Sequence, residues 1–371
     1  MPDDVHVSAD ELVSRTILRK DLVPDTAAFL DTKIPGSETK INYPLIGPGV
    51  SENGEQVVPV DVPHGFNLGG AVMPAGTINN LHLHYTAEVF FCFGGEWTFR
   101  WGVGGADGEA TVRDGDVISI PTWIFRGFTS ETDDAWLYTA LGRDESGGLI
   151  WEPSVIARAA ETGMFLSADH RIVEVEPGTT PEGVELVTPL TPAELDALRK
   201  VPPAEMRERL TQPGDLRWRS DALLDAELPG GGAELALVIG YGLTEHREQA
   251  PRLADPHGFS IAWLRAAPGH GMLTHRIDES QVLLVKSGRW RVTLNREDPV
   301  TAVLGPFDVL SIPVGAWRRI EAVEGDDARL LVMTGGDGRV RLDWDSEVVA
   351  DARAKNVALD ANGYRAPAHL I

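Results

Sequence analysis

Cysteine occurs once, at Cys92, which excludes an intrachain disulfide framework and a thiolate zinc site. Basic side chains are scarce: 33 lysines and arginines stand against 56 aspartates and glutamates, for a formal charge of −23. Such a field repels polyanions, and no basic run interrupts it, so sequence-independent nucleic-acid binding is not expected. No apolar run approaches the length of a bilayer span, so no membrane segment is expected. The start, Met1-Pro-Asp-Asp-Val-His6, lacks the basic and apolar regions of a signal peptide, and the expected location is cytoplasmic. Turn formers, by contrast, are plentiful. Glycine occurs 39 times and proline 25 times in 371 residues, beside an apolar share of 43% that can fill sizeable cores.

An internal repeat organises the chain. Ile46-Gly-Pro-Gly-Val-Ser-Glu52 returns as Ile239-Gly-Tyr-Gly-Leu-Thr-Glu245, and Pro63-His-Gly-Phe66 as Pro256-His-Gly-Phe259. Glu55-Gln56, Gly76, His82 and Gly95-Glu-Trp97 have partners at the same offset of 193 residues. Asp116-Val-Ile-Ser-Ile-Pro121 returns at 192 as Asp308-Val-Leu-Ser-Ile-Pro313, after one deletion. Chance does not hold one register over that span, so the chain is a tandem duplication with copies near 40–142 and 233–340. Each copy reads as β. Glu88–Phe93 and Gln281–Val285 are short apolar runs that stop near glycine, and Trp97-Thr-Phe-Arg-Trp101 alternates with period two. Between the copies, Pro153–Ala160 and Pro192–Arg199 look helical, and Ser8-Ala-Asp-Glu11 reads as a capping box.

The first copy carries Gly76-Thr-Ile-Asn-Asn-Leu-His82-Leu-His84-Tyr-Thr-Ala-Glu88. On a strand, His82 and His84 point to one face, and Glu88 keeps their parity after a short turn. Two imidazoles and one carboxylate form a metal triad with open coordination positions, favoured by non-haem Fe(II) and also used by Mn(II), Ni(II) or Zn(II). Isolated, a His-x-His pair on a strand is more often surface decoration or a hydrogen-bonded core pair than a ligand set.

Gly76-x5-His82-x-His84-x3-Glu88-x6-Gly95 resembles the first cupin motif at each defining position, and Gly115-x5-Pro121 resembles the start of the second. With its duplication the chain is similar to a bicupin. The resemblance implies an all-β-dominated fold of two tandem jelly-roll barrels, with the metal inside a barrel. Its layout is a 1–40 arm, a metal-binding barrel at 41–145, a partly helical connector at 146–232, a degenerate metal-free barrel at 233–340 and a 341–371 tail. Ile120-Pro-Thr-Trp123-Ile-Phe125 is similar to a stretch of the gentisate and salicylate 1,2-dioxygenases that leads to a ligand histidine. Arg126 stands where that histidine is expected, and arginine does not ligate metals. The second copy keeps His275 but has Ile277, Gln281 and Arg318 at the other ligand positions.

The expected function is therefore a metal-dependent bicupin enzyme of the Fe(II) dioxygenase type, acting on a small aromatic or organic acid. The oxygenase class rests on the resemblance alone. The alternatives are a ligand-binding or structural bicupin, and a non-redox isomerase or lyase. Arg126 either clamps a substrate carboxylate beside the metal or pairs with Glu88. Phe90, Trp97 and Trp123 either line a substrate pocket or fill the core. His64 and His257, repeated in both copies, read as structural, and Cys92 reads as a small buried hydrophobe. Association into a homo-oligomer through barrel edges and terminal arms is also expected.

Overall fold

The computed structural model describes residues 4–371. The chain forms two compact units, Val23–Gly214 on the one hand and Asp215–Ile371 together with the stretch before Val23 on the other. Each is a jelly roll, so the architecture is two tandem β-barrels. No helix among the described residues is long and apolar enough to cross a membrane.

In the Val23–Gly214 unit two antiparallel sheets face each other. One runs in the order Leu210–Thr211, Val117–Ile120, Glu88–Gly94, Ala135–Gly142, Phe66–Met73, Ile41–Ile46. The other runs Leu149–Trp151, Ile78–His84, Arg126–Ser130, Glu96–Trp101, Gly108–Arg113. The alternation in Trp97–Trp101 does what period two dictates: Trp97, Phe99 and Trp101 enter the core while Arg100 is exposed. Phe90, Cys92, Ile118 and Phe128 complete that core. Between the strands Glu88–Gly94 and Glu96–Trp101 sits Gly95, at φ +78°, where a Cβ would lie 2.5 Å from the Ala135 Cβ. Only glycine fits there, which explains its place in the motif.

The second unit repeats this plan with fewer breaks. Gln281–Leu294 is one long strand where the first barrel has two, and Arg318–Gly335 is another. The structure also explains the conserved-register pieces of the duplication. Glu52 accepts from the Leu30 N–H and from Trp151 Nε1, both at 2.7 Å. Glu245 accepts from the Leu224 N–H and from Trp344 Nε1. The His64 N–H donates to Asp144 at 2.7 Å and the His257 N–H to Asp337 at 2.6 Å, so both histidines serve their turns.

The stretches outside the repeats are not bodies of their own. Residues 143–214 fold with the first barrel and 215–232 with the second. The expected helices are there, at Pro153–Glu161 and at Pro192–Ala197, the latter with a reciprocal Thr191–Glu194 capping box. The arms are exchanged. Ser8 caps the short helix Ala9–Ser14, and Thr16–Ile17 then pairs with Val309–Leu310 of the second barrel. In the other unit, helix Pro203–Glu208 leads to Leu210–Thr211, which pairs with Val117–Ile118 of the first barrel. The two arms match at an offset of 194. Arg15 Nη1 donates to Ser311 Oγ at 3.2 Å, and Arg209 Nη2 donates to Ser119 Oγ at 3.1 Å. Thus the arm that precedes the first barrel covers an edge of the second, and the arm in the connector covers an edge of the first.

Candidate metal centre

Strand Ile78–His84 carries both histidines on its inward face, and Glu88 opens the next strand after a three-residue turn. All three side chains are buried, and one ligand atom from each lies within 4.8 Å of the others. The His82 and His84 rings meet edge to face at 4.9 Å between centroids. His82 Nδ1 lies 2.7 Å from the Asn80 carbonyl, so it carries the proton and leaves Nε2 with its lone pair. Burial, with the neighbouring His84 and Arg126 charges, pushes His82 down to about 3. It is therefore a neutral imidazole. Burial alone would raise the Glu88 carboxyl, but the His84 and Arg126 charges outweigh it and hold it at about 2.

The donor set suits a cation. Both ring nitrogens of His84 and one oxygen of Glu88 are buried without hydrogen-bond partners. His84 Nε2 approaches Glu88 Oε1 to 3.3 Å but is not aligned to donate to it. A metal on His84 Nε2 and Glu88 Oε1 would give the buried imidazole a partner, while Glu88 Oε2 faces Arg126. His82, His84 and Glu88 can hold a divalent ion.

Arg126 faces Glu88. Its guanidinium is fully buried, with Nε 3.3 Å from Glu88 Oε2 and Nη2 donating to the Pro121 carbonyl at 3.1 Å. It lies behind Glu88 and not on the cavity wall. Arg318 repeats this placement, donating to the Pro313 carbonyl and, at 3.0 Å, to Gln281 Oε1. Phe90 lines the cavity beside the triad, whereas Trp97 is packed in the core and donates to the Gly94 carbonyl. Trp123 is 44% exposed, at a left-handed φ of +59°, and meets Tyr85 edge to face outside the cavity.

The cavity in front of the triad holds about 110 Å³. Trp151, Phe29 and Phe128 give it apolar walls, and Asn42, Gln56 and Asn79 give it polar ones. Behind Asn79, fully buried Lys40 forms an ion pair with Asp31 and donates to Asn79 Oδ1 at 3.0 Å. Desolvation lowers the Lys40 ammonium, opposed by the Asp31 charge. These residues escape a motif search because they lie outside His-x-His-x3-Glu. Comparing the two copies would have found them: Ala233, Leu235 and Met272 replace Lys40, Asn42 and Asn79. In the second barrel only His275 remains of the triad, and burial pushes it down to about 3.

The fold is that of the bicupins. Solved structures similar to the chain include oxalate decarboxylase from Bacillus subtilis at pH 4.6, at 12% identity and a TM-score of 0.53 over 97% of this chain and 85% of that one. A variant of the same enzyme gives 13% identity and a TM-score of 0.55 over 97% and 87%. A formate complex of oxalate decarboxylase from Lactobacillus farciminis gives 12% and 0.50 over 90% and 88%. No protein-family model matches the chain, and no curated protein does. These neighbours are decarboxylases, so the narrower similarity to gentisate and salicylate dioxygenases gains no support from them.

Proposed function

We propose that this protein is a single-site, metal-dependent enzyme acting on a small organic acid, with the ion held by His82, His84 and Glu88 of the first barrel. The carrying observation is that three buried side chains converge, one ligand atom from each lying within 4.8 Å of the others. His82 is fixed in its ligating tautomer by the Asn80 carbonyl, and Glu88 is kept ionised and oriented by Arg126. Trp151, Phe90 and Phe128 give the cavity in front of the triad an apolar lining. When bound, a divalent metal supplies a Lewis acid that draws electron density from a coordinated carboxylate or carbonyl, and Fe(II) or Mn(II) adds one-electron chemistry. Decarboxylation or another carbon–carbon cleavage is the reaction class to which the oxalate decarboxylase fold neighbours point.

Elemental analysis of chelator-free protein, beside His82→Ala, tests the reading. About one equivalent of metal per chain, lost in a folded variant, supports it. A panel of two- to four-carbon acids, followed by carbon dioxide release and by oxygen consumption, then separates decarboxylation from oxygenation. Absence of metal after anaerobic Fe(II) or Mn(II) loading would leave a ligand-binding barrel closed by the Arg126–Glu88 pair.

A further inference from the structure

Strand Ile78–His84 carries a β-bulge just before the histidines. Asn79 pairs with Phe128 and His82 with Arg126, so Asn80 and Leu81 together oppose Gly127. The bulge peptide is the one that orients His82, because the Asn80 carbonyl accepts from His82 Nδ1 at 2.7 Å. Asp31 grips the same residue from the other side. Its Oδ2 accepts from the Asn80 N–H at 3.1 Å and from Asn80 Nδ2 at 3.0 Å. Asn80 Nδ2 also donates to Ser37 Oγ at 2.8 Å, and Asn80 Oδ1 accepts from Arg158 Nη1 at 3.2 Å. Asp31 Oδ1 is paired with Lys40, and both side chains are buried. A chain of contacts thus runs from Lys40 through Asp31 and Asn80 to His82.

The second barrel is the internal control. Its bulge lies at the same place, since Met272 pairs with Ile320 and His275 with Arg318. Asp225 Oδ2 accepts from the Leu273 N–H at 2.7 Å, and the Leu273 carbonyl accepts from His275 Nδ1 at 2.7 Å. The backbone half of the grip is therefore common to both barrels and serves the bulge itself. The side-chain half is not. Ala233, Leu273, Gly230 and Asp351 stand in place of Lys40, Asn80, Ser37 and Arg158, and Asp225 Oδ1 is buried without a partner. The added contacts belong to the copy that keeps the triad, and they converge on Asn80 and on the Asp31 carboxylate that holds it.

We propose that Lys40, Asp31 and Asn80 form a positioning chain for the metal site: Lys40 fixes the Asp31 carboxylate, which holds the Asn80 peptide and so keeps the His82 ring aimed at the ion. This rests on the metal reading above. None of the three is a ligand. They remove rotational freedom from His82 before binding, so that the ion does not meet that cost itself. A buried amide is a costly way to build a bulge that leucine already builds in the second barrel, so the shape of the strand does not account for Asn80.

The test is the Co(II) affinity of the full chain, titrated against a competing chelator at a temperature where each variant is folded. Asp31→Leu with Lys40→Met removes the acceptor without stranding a charge, and the dissociation constant is expected to rise about 10–100-fold. Asp31→Asn with Lys40→Met restores an oxygen for Asn80 and should recover affinity to within about threefold of wild type. Asn80→Leu, which installs the residue of the second barrel, is the milder variant and should weaken Co(II) about three- to tenfold. Asp225→Leu removes the matching backbone contact from the barrel without the triad, and should lower stability while leaving Co(II) affinity unchanged. Unaltered affinity in Asp31→Leu with Lys40→Met, or in Asn80→Leu, overturns the proposal while the metal site stands. So does an equal loss in Asp31→Asn with Lys40→Met or in Asp225→Leu, since the effect is then one of stability and not of aim. Failure of the wild-type chain to take up Co(II) overturns the metal reading and this one with it.

Discussion

Glu88→Gln converts the first site toward the second, and the structure sets its size. In the second barrel the same pairing exists: Gln281 Oε1 accepts from Arg318 Nη1 at 3.0 Å. A glutamine at 88 can therefore accept from Arg126, which also keeps the Pro121 carbonyl at 3.1 Å. The metal-free variant should lose about 1–2 kcal/mol, well short of the roughly 3–5 kcal/mol that follows when a buried charge is orphaned. The metal increment behaves differently. A folded state that binds the ion gains about 2.7 kcal/mol at a free concentration of 100 times Kd. Wild type should show that gain in urea unfolding with added Zn(II) or Co(II), and the variant at the same concentration should show less than about 0.5 kcal/mol. A variant that keeps the full metal increment would remove Glu88 from the ligand set. A metal-free variant that loses the larger amount would show that glutamine does not accept from Arg126.

Burial pushes the Glu52 and Glu245 carboxyls up to about 8, so the folded chain keeps protons that the unfolded chain releases near 4.5. Their contribution to stability is complete below about 4.5 and declines as pH rises toward 8; the buried histidines His82 and His275 act oppositely, but only up to about 6.5. Between about pH 6.5 and 8, urea midpoints should fall for wild type and fall less for Glu52→Gln with Glu245→Gln; equal slopes would refute the assignment. Lys40→Met should cost about 3–5 kcal/mol by stranding the Asp31 carboxylate, and adding Asp31→Asn should recover part of it, which a double-mutant cycle measures. Leu12→Ala and Met206→Ala, each buried in an arm, should each lower unfolding stability by about 2–5 kcal/mol, and losses below about 1 kcal/mol would mean that the arms are not part of the cores.

Most of the architecture was legible because the duplication states each structural constraint twice. Gly95 and Gly288, Glu52 and Glu245, and His64 and His257 recur for backbone and hydrogen-bond reasons visible in both barrels. The triad was legible because strand parity fixes where His82, His84 and Glu88 point. For Arg126 the sequence left two partners open, a substrate carboxylate or Glu88, and in the structure its Nε lies 3.3 Å from Glu88 Oε2 while Nη2 donates to the Pro121 carbonyl. Trp97 and Trp123 failed to reach the cavity for opposite reasons, the one by core packing and the other by an exposed left-handed turn. Lys40 lies outside the motif and meets Asp31 and Asn79 only in the folded barrel. The arms share Glu11-x3-Arg15 and Glu205-x3-Arg209, yet no local pattern says which barrel a two-residue strand will join.

The exchanged arms set an order of events during synthesis. The strand edge at Val117–Ile120 has to wait for Leu210–Thr211, about ninety residues later in the chain. At roughly 5–20 residues per second that is a delay of several seconds or more, in which the first barrel holds an open edge exposed to wrong pairing. The second barrel has the reverse timing, since Thr16–Ile17 is made long before Val309–Leu310 and is ready when they emerge. One half of the molecule thus matures on a partner it must await, the other on a partner kept in store, and chaperone demand should concentrate on the first.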